Sequence, residues 1–211
     1  MVSINQNKAI ELTEVILWIN SRGWSPATST NYSFKNSGNP LQIAISQSGI
    51  DKSKFTCNHL MLVDEHGMPT PEFDHLKSSA ETLLHTVLYQ ENDGIEFILH
   101  THSVYGTILS QHFLNQGQII LSGYEVLKGL GNNKTHDISV PLPIFQNTQD
   151  IYELSEAFRI FYKNNPRIPG YLISGHGLYT WGKNLEEAKR QLEVLEFLLE
   201  CEYKKMCICD I

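Results

Sequence analysis

The chain has 211 residues, of which 41% are hydrophobic and 10% aromatic, and it carries a formal net charge of -7. This length favours one domain, so we expect residues 1–211 to form a single unit with a full apolar core. The negative charge and the lack of a basic block argue against nucleic acid as the main partner. The chain has no apolar run long enough to cross a membrane and no signal-peptide pattern at its start, so we expect a cytoplasmic protein without membrane contact.

Helical and extended patterns alternate along the chain and predict a mixed α/β fold with a central sheet covered by helices. The predicted elements, in chain order, are helix 9–21, strand 41–46, helix 78–92, strand 95–101, helix 102–115, strand 138–141, helix 148–164, strand 170–174 and helix 184–205. Gly23 is expected to end the first helix, and Asn184 to cap the last one. Pro141 and Pro143 are expected to break the strand at 138–141.

The four cysteines predict neither a disulfide framework nor a strong metal site. Three of them, Cys201, Cys207 and Cys209, lie close to the end of the sequence. Their spacing differs from the Cys-x2-Cys pattern of most zinc sites, and a cytosolic chain of this size seldom depends on disulfides. We therefore interpret them as small apolar residues and assign them no function.

Three histidines form the strongest candidate for a metal site. His100 and His102 close the predicted strand 95–101, and because side chains alternate along a strand, both point to the same face. His176 lies between Gly175 and Gly177, which leave room for close approach. A buried core histidine is the ordinary explanation for any one of them, but not for a same-face pair. Three imidazole ligands with one open position are typical of catalytic zinc, with iron, cobalt, nickel and manganese as alternatives.

Glu81 lies near the start of the predicted helix 78–92, shortly before the histidine strand. One interpretation is an acidic residue that the positive end of the helix dipole favours. The other is a metal ligand or general base. The spacing leaves both interpretations open.

Small hydrogen-bond donors are concentrated in three stretches that could bind a phosphate group. These stretches are 29–33, which includes Asn31, 46–49, which includes Ser48 and Gly49, and Ser78–Ser79. Lys52 could add one positive charge. Ordinary turn chemistry explains each stretch equally well when it is taken alone.

Several of these motifs together resemble the class II aldolase/adducin family, from about residue 8 to about residue 203. The motifs are Asn31, Ser48-Gly49, Ser79-Ala80-Glu81, His100-Thr101-His102 and Gly175-His176-Gly177. The resemblance implies an α/β/α sandwich around a central, mainly antiparallel sheet, assembled as a homotetramer with active sites at subunit interfaces. It also implies a sugar-phosphate substrate and one zinc ion per subunit, held by His100, His102 and His176, with phosphate contacts from Asn31, Ser48, Gly49 and Ser79.

Within that family, four segments are similar to the dehydratases that act on 5-methylthioribulose 1-phosphate in methionine salvage. They are residues 46–52, 79–85, 124–129 and 177–182. This similarity implies zinc-dependent loss of water to give 2,3-diketo-5-methylthiopentyl 1-phosphate. It implies that Glu125, in the Glu-x-x-Lys-Gly motif, is the acid/base residue.

Two alternatives stay open. Glu81 matches the catalytic acid of the sugar-phosphate aldolases, so an aldolase or epimerase on the same scaffold is the first. Ala80, however, replaces the middle serine of the aldolase motif, which weakens this interpretation. The second is a non-catalytic module of the adducin type, which the intact histidines and Glu125 argue against.

Overall fold

The computed structural model describes residues 3–131 and 133–209, and within them five α-helices surround one eight-stranded sheet. The helices are α1 Gln6–Ser21, α2 Thr82–Glu91, α3 Val104–His112, α4 Ile151–Asn164 and α5 Leu185–Cys209. The strands are β1 Tyr32–Gly38, β2 Leu41–Ser46, β3 Leu60–Asp64, β4 Phe97–Thr101, β5 Gln118–Ser122, β6 Ser139–Phe145, β7 Gly170–Ile173 and β8 Gly177–Gly182. None of the described helices is both long and apolar enough to span a membrane.

The strands lie in the order β3-β2-β1-β4-β8-β7-β6-β5. Every neighbouring pair is antiparallel except β6 and β7, which are parallel, so the prediction of a mainly antiparallel sheet is confirmed. β4 and β8 lie in the middle and have hydrogen-bonded neighbours on both sides. The two strands that adjoin the histidine motifs are therefore central strands, well away from the edges of the sheet.

Alternating side chains of the central strands supply two separate apolar layers. Phe97 and Leu99 of β4 pack into the layer that contains α1, α3 and α5, whereas Ile98 packs into the layer that contains α2 and α4. Because helices cover both faces, the predicted α/β/α sandwich is confirmed. The period of 2 along β4 thus decides which layer each side chain enters.

All the predicted helices and all four predicted strands are present, with ends that differ by a few residues. Gly23 follows α1 with φ of +75°, which is the left-handed conformation that a terminating glycine favours. The Asn184 side chain accepts a hydrogen bond from the Glu187 backbone N–H at 2.8 Å, which confirms the predicted cap. Four strands, β1, β3, β5 and β8, were absent from the prediction.

The prediction that prolines break the strand at residues 138–141 is wrong. β6 continues through Pro141 and Pro143 to Phe145. Pro141 and Pro143 pair with β5, while the pairing of β6 with β7 begins only at Ile144. The Ile144 N–H donates to the carbonyl of Gly117, on the side of β5. Because backbone nitrogens alternate between the two sides of a strand, the nitrogens of Pro141 and Pro143 point toward the opposite side. No partner strand needs an N–H from them there.

The C-terminal cysteines lie on α5. Cys201 is half-buried and Cys207 is exposed, and both are free thiols, as is Cys57. The side chain of Cys209 lies outside the described part of the structure, as do residues 1–2, 132 and 210–211.

Packing of α5 on the sheet should dominate the stability of the fold. Leu199 is fully buried in the layer between α5 and the sheet. We expect Leu199→Ala to lower the free energy of unfolding by about 2–5 kcal/mol, because it removes buried methyl groups and leaves a cavity. The exposed Glu193 of the same helix provides the control, and Glu193→Ala should change stability by no more than about 0.5 kcal/mol. Chemical denaturation measures both, and equal effects would contradict the assigned core.

Candidate metal centre and active site

The three predicted histidines converge at the end of the central strand pair. His100 lies in β4, His102 follows that strand by one residue, and His176 lies in the turn between β7 and β8. One ring nitrogen from each histidine lies within 4.8 Å of those of the other two. The Nε2 atom of His100 is 2.8 Å from Nε2 of His102 and 3.3 Å from Nε2 of His176. The fold therefore forms the predicted cluster, and metal binding by it stays a prediction.

Hydrogen bonding orients the His100 ring for metal binding. Its Nδ1 atom lies 2.9 Å from the carbonyl oxygen of Leu178, and because a carbonyl can only accept, Nδ1 carries the hydrogen. Nε2 therefore presents its lone pair to the other two rings. Burial lowers the pKa of His100 well below its ordinary value and lowers that of His102 to about 4. Neutral imidazoles whose Nε2 atoms converge repel each other unless a hydrogen or cation lies between them, so this donor set fits a divalent ion of the zinc type.

Gly177 allows the two histidine motifs to meet. A Cβ atom at this position would lie only 1.8 Å from the carbonyl oxygen of Thr101. No side chain fits there, so β8 can approach β4 this closely only with glycine at its first residue. The neighbouring Gly175 has φ of +65°, which most side chains avoid. Both glycines therefore shape the turn that carries His176.

Glu81 lies beside the histidines, at the N-terminal end of α2. Its Oε1 atom is 3.0 Å from Nε2 of His176, and its Oε2 atom is 3.5 Å from Nε2 of His100. Tyr179 donates its hydroxyl to Oε2 at 2.7 Å. Burial raises the pKa of Glu81, but the hydrogen bonds with His176 and Tyr179 contribute to an opposing effect that holds the pKa below its ordinary value. The carboxylate is thus placed to contact a bound metal or substrate.

A buried chain of polar side chains fixes the position of Glu81. Asn31 donates to Glu81 at 2.5 Å and to Ser79 at 3.2 Å, and its side-chain oxygen faces Nε2 of His85. Because that oxygen can only accept, His85 donates from Nε2 and accepts at Nδ1 from the Ser33 hydroxyl at 2.7 Å. Burial lowers the pKa of His85 to about 3, which keeps the ring neutral.

His85 and Tyr179 are site residues to which the sequence analysis gave no role. His85 lies four residues after Glu81, about one helical turn away. That spacing was the only local indication that the two side chains lie near each other. The ring of Tyr179 stacks on His100 with centroids 3.9 Å apart and an interplanar angle of 15°. Tyr179 pairs directly with His100 in the sheet, which no local pattern indicates.

The three donor-rich stretches predicted to bind phosphate are neighbours in the fold. Asn31 contacts Ser79, and the backbone N–H of Ser48 donates to the carbonyl of Lys77 at 3.0 Å. Gly49 is exposed in the same turn as Ser48, with φ of +79°. Together they form one surface beside Glu81.

Lys52 is buried behind this surface. Its ammonium group donates to the backbone carbonyls of Ser29 at 3.1 Å and Ile50 at 3.0 Å. Burial lowers its pKa to about 8. The lysine therefore links the stretch 29–33 to the residue that follows Gly49, and it places a positive charge beneath this surface.

Glu125 does not lie with the histidines in the same chain. It begins a short 3-10 helix, Glu125–Gly129, and its side chain is 68% exposed. Its carboxylate contacts Lys128 and lies 2.9 Å from Nδ1 of His136. The hydrogen bond from Lys128 lowers the pKa of Glu125.

The segment that carries Glu125 packs against α5. Leu127 is buried in the α1/α3/α5 layer, and Arg190 of α5 donates to the carbonyl of Gly129 at 3.0 Å. His100 instead stacks on Tyr179, which belongs to the α2/α4 layer. Within one chain the sheet therefore separates Glu125 from the histidine cluster.

Comparisons with known proteins identify the family of this chain. Residues 10–203 match the family described as the Class II Aldolase and Adducin N-terminal domain. A methylthioribulose-1-phosphate dehydratase from Picosynechococcus sp. is 45% identical over 206 residues, covering 97% of this chain and 95% of that relative. The enzyme of the same name from Marinobacter nauticus is 44% identical over 199 residues, covering 94% and 93%.

Solved structures support the fold. The L-fuculose-1-phosphate aldolase from Thermus thermophilus superposes with a TM-score of 0.74 at 18% identity, covering 98% of this chain and 97% of that one. At this identity the likeness concerns the fold alone. The family match spans nearly the whole chain, and the dehydratase relatives share almost half of its residues, so the resemblance indicated by the motifs is confirmed. The chain belongs to the class II aldolase and adducin family.

Proposed function

We propose that this protein is a zinc-dependent dehydratase that converts 5-methylthioribulose 1-phosphate to 2,3-diketo-5-methylthiopentyl 1-phosphate in the cytoplasmic methionine salvage pathway. The observation that carries the proposal is the high identity to methylthioribulose-1-phosphate dehydratases over nearly the full length. The convergent histidines and Glu81 support it, because a non-catalytic module has no need to bury such a group of polar side chains together.

His100, His102 and His176 would hold one zinc ion per subunit. Three imidazoles that leave a coordination position open are the donor set of a catalytic zinc site. When bound, the ion supplies Lewis-acid stabilisation of the negative charge that develops on the substrate oxygens. Iron or manganese in the same position would supply the same kind of stabilisation.

The phosphate group of the substrate would bind to the surface formed by Asn31, Ser48, Gly49 and Ser79. The hydroxyl groups of Ser48 and Ser79 and the backbone N–H of Gly49 can donate to phosphate oxygens, and Lys52 adds a positive charge from below. Binding the phosphate here would anchor the substrate away from the reacting bond and orient its ketone toward the histidines. Asn31 contacts both Ser79 and Glu81, so it links the anchor to the reaction centre.

We assign the acid/base role to Glu125 of a neighbouring subunit in a homotetramer. Glu125 removes the proton from the carbon next to the ketone and returns a proton to the departing hydroxyl, so that water leaves and the enol relaxes to the diketone. An exposed apolar side chain lies beside each of the two surfaces that would meet in such an interface. Val126 is next to Glu125, and Val104 is close to His102. Glu81, already beside His176, is the second candidate for acid/base catalysis.

The first prediction concerns the reaction itself. Zinc-loaded protein incubated with 5-methylthioribulose 1-phosphate should give a product that is lighter by one water, detected by mass spectrometry together with the ultraviolet absorbance of the diketone or its enol. Protein treated with a chelator is the control and should give no product. Retro-aldol fragments in place of water loss would contradict the dehydratase proposal and favour an aldolase on this scaffold.

The second prediction concerns the metal. His100→Ala should lower the zinc content from about one ion per subunit to nearly none, because two imidazoles hold zinc far more weakly than three. Elemental analysis of the purified protein measures this. His66 is exposed and distant in sequence, so His66→Ala is the matched control and should keep its zinc. Unchanged zinc in His100→Ala would remove the histidine cluster as the metal site.

The third prediction tests whether the site is shared between subunits. Glu125→Gln should keep zinc but lose about 10²–10⁴-fold in turnover. Co-expression of Glu125→Gln with His100→Ala should restore roughly a quarter of the wild-type activity, because one interface in four combines an intact Glu125 with intact histidines. Co-expression of His100→Ala with His102→Ala is the control, since both lesions lie on the same side of the site. Absence of rescue by the first pair would contradict a site shared between subunits, whereas near-wild-type turnover of Glu125→Gln would transfer the acid/base role to Glu81.

A further inference from the structure

Glu196 is a buried carboxyl group that the proposed chemistry does not use. It lies on α5 and is only 2% exposed, on the face of β4 opposite the histidines. Its Oε1 atom accepts a hydrogen bond from the hydroxyl of Thr101. Its Oε2 atom is buried and has no hydrogen-bond partner among the described residues. A carboxyl group in such surroundings is costly to bury and calls for an explanation.

The backbone around His102 explains why a contact is needed here. The ladder between β4 and β8 ends with the pair Thr101 and Leu178, so His102 lies one residue beyond the sheet. Its N–H donates to the carbonyl of Trp24 at 2.8 Å. By contrast, His100 is paired within the ladder and its ring is also held by Leu178. His102 is therefore the metal-site histidine of β4 with the weaker backbone support.

Glu196 faces the residues on both sides of His102. The Thr101 hydroxyl donates to its carboxyl group, and Ser103, on the other side of His102, is buried. Burial raises the pKa of Glu196 to about 7, although the hydroxyls of Ser103 and Thr101 lower it in part. Ser103 is itself fixed, because its hydroxyl accepts from the N–H of Gly106 at 3.0 Å and caps α3. Glu196 thus lies against the segment that connects β4 to α3, on the face of the sheet opposite the histidines.

We propose that Glu196 is a positioning residue for His102, holding the backbone of residues 101–103 so that the imidazole stays in place for metal binding. The inference rests on the proposed metal site. A buried anion with an unpaired oxygen is unfavourable, so the group acts through hydrogen bonding and packing, not through its charge. A neutral amide of the same shape should therefore replace it.

The experiment compares zinc affinity, measured by competition with a chromophoric chelator, among variants of the full chain. Glu196→Leu and Thr101→Val each remove the hydrogen bond while nearly preserving shape, and each should weaken zinc binding about tenfold, as loss of a supporting contact behind a metal ligand does. Glu196→Gln should bind within about threefold of the wild type, because the amide oxygen can still accept from Thr101. The double variant Glu196→Leu/Thr101→Val should be no weaker than the worse single variant, since both changes break one contact.

Gln191 provides the matched control. It lies on the same helix, is also buried, and donates to the carbonyl of Trp181 at 2.6 Å, at the other end of the β4–β8 pair. Gln191→Leu should lower the melting temperature of the metal-free protein and leave zinc affinity unchanged. An equal loss of affinity in Gln191→Leu, or wild-type affinity in Thr101→Val, would overturn the positioning role of Glu196. A wild-type protein that binds no zinc would overturn the metal site itself, which is a distinguishable result.

Discussion

The antiparallel pairing of β4 with β8 is the constraint on which the rest of the site depends. It sets Thr101 opposite Leu178, and this register brings the two histidine motifs to one end of the sheet although they are far apart in sequence. Gly177 allows the register, since any side chain there would collide with the Thr101 carbonyl. The same pairing supplies the carbonyl that orients His100. One set of backbone contacts thus brings the two histidine motifs together and determines the tautomer and direction of the His100 ring.

Polar groups are buried on the α2/α4 face of this strand pair, and their mutual hydrogen bonds offset the cost of removing them from water. The chain from Ser33 through His85 and Asn31 to Glu81 leaves each connecting atom with a defined donor or acceptor role. Such a network has few alternative arrangements, because reversing one amide or one ring leaves a buried atom unpaired. The carboxylate of Glu81 is consequently held in place before any ligand arrives.

The parts of this site that the sequence could predict are those encoded by local patterns. The shared face of His100 and His102 follows from the two-residue period of a strand, and the glycines around His176 indicate a tight turn. Tyr179 and Glu196 escape such reasoning, because their contacts with His100 and Thr101 depend on strand pairing and helix packing over long distances. The strand through Pro141 and Pro143 was mispredicted for a related reason: a proline breaks a ladder only where a partner strand needs its N–H, and pairing partners are not visible locally.

The surroundings of Glu125 connect the proposed chemistry to assembly. In the isolated chain its carboxylate is exposed and bonded to Lys128, which lowers its pKa and makes it a weak base. Acid/base catalysis near neutral pH works best with a pKa close to the working pH, and for a carboxyl group this requires removal from water. Contact with a neighbouring subunit would bury the group and raise its pKa while bringing it to the histidines. A single subunit would then contain the three histidines without Glu125, and activity that relies on Glu125 would depend on subunit association.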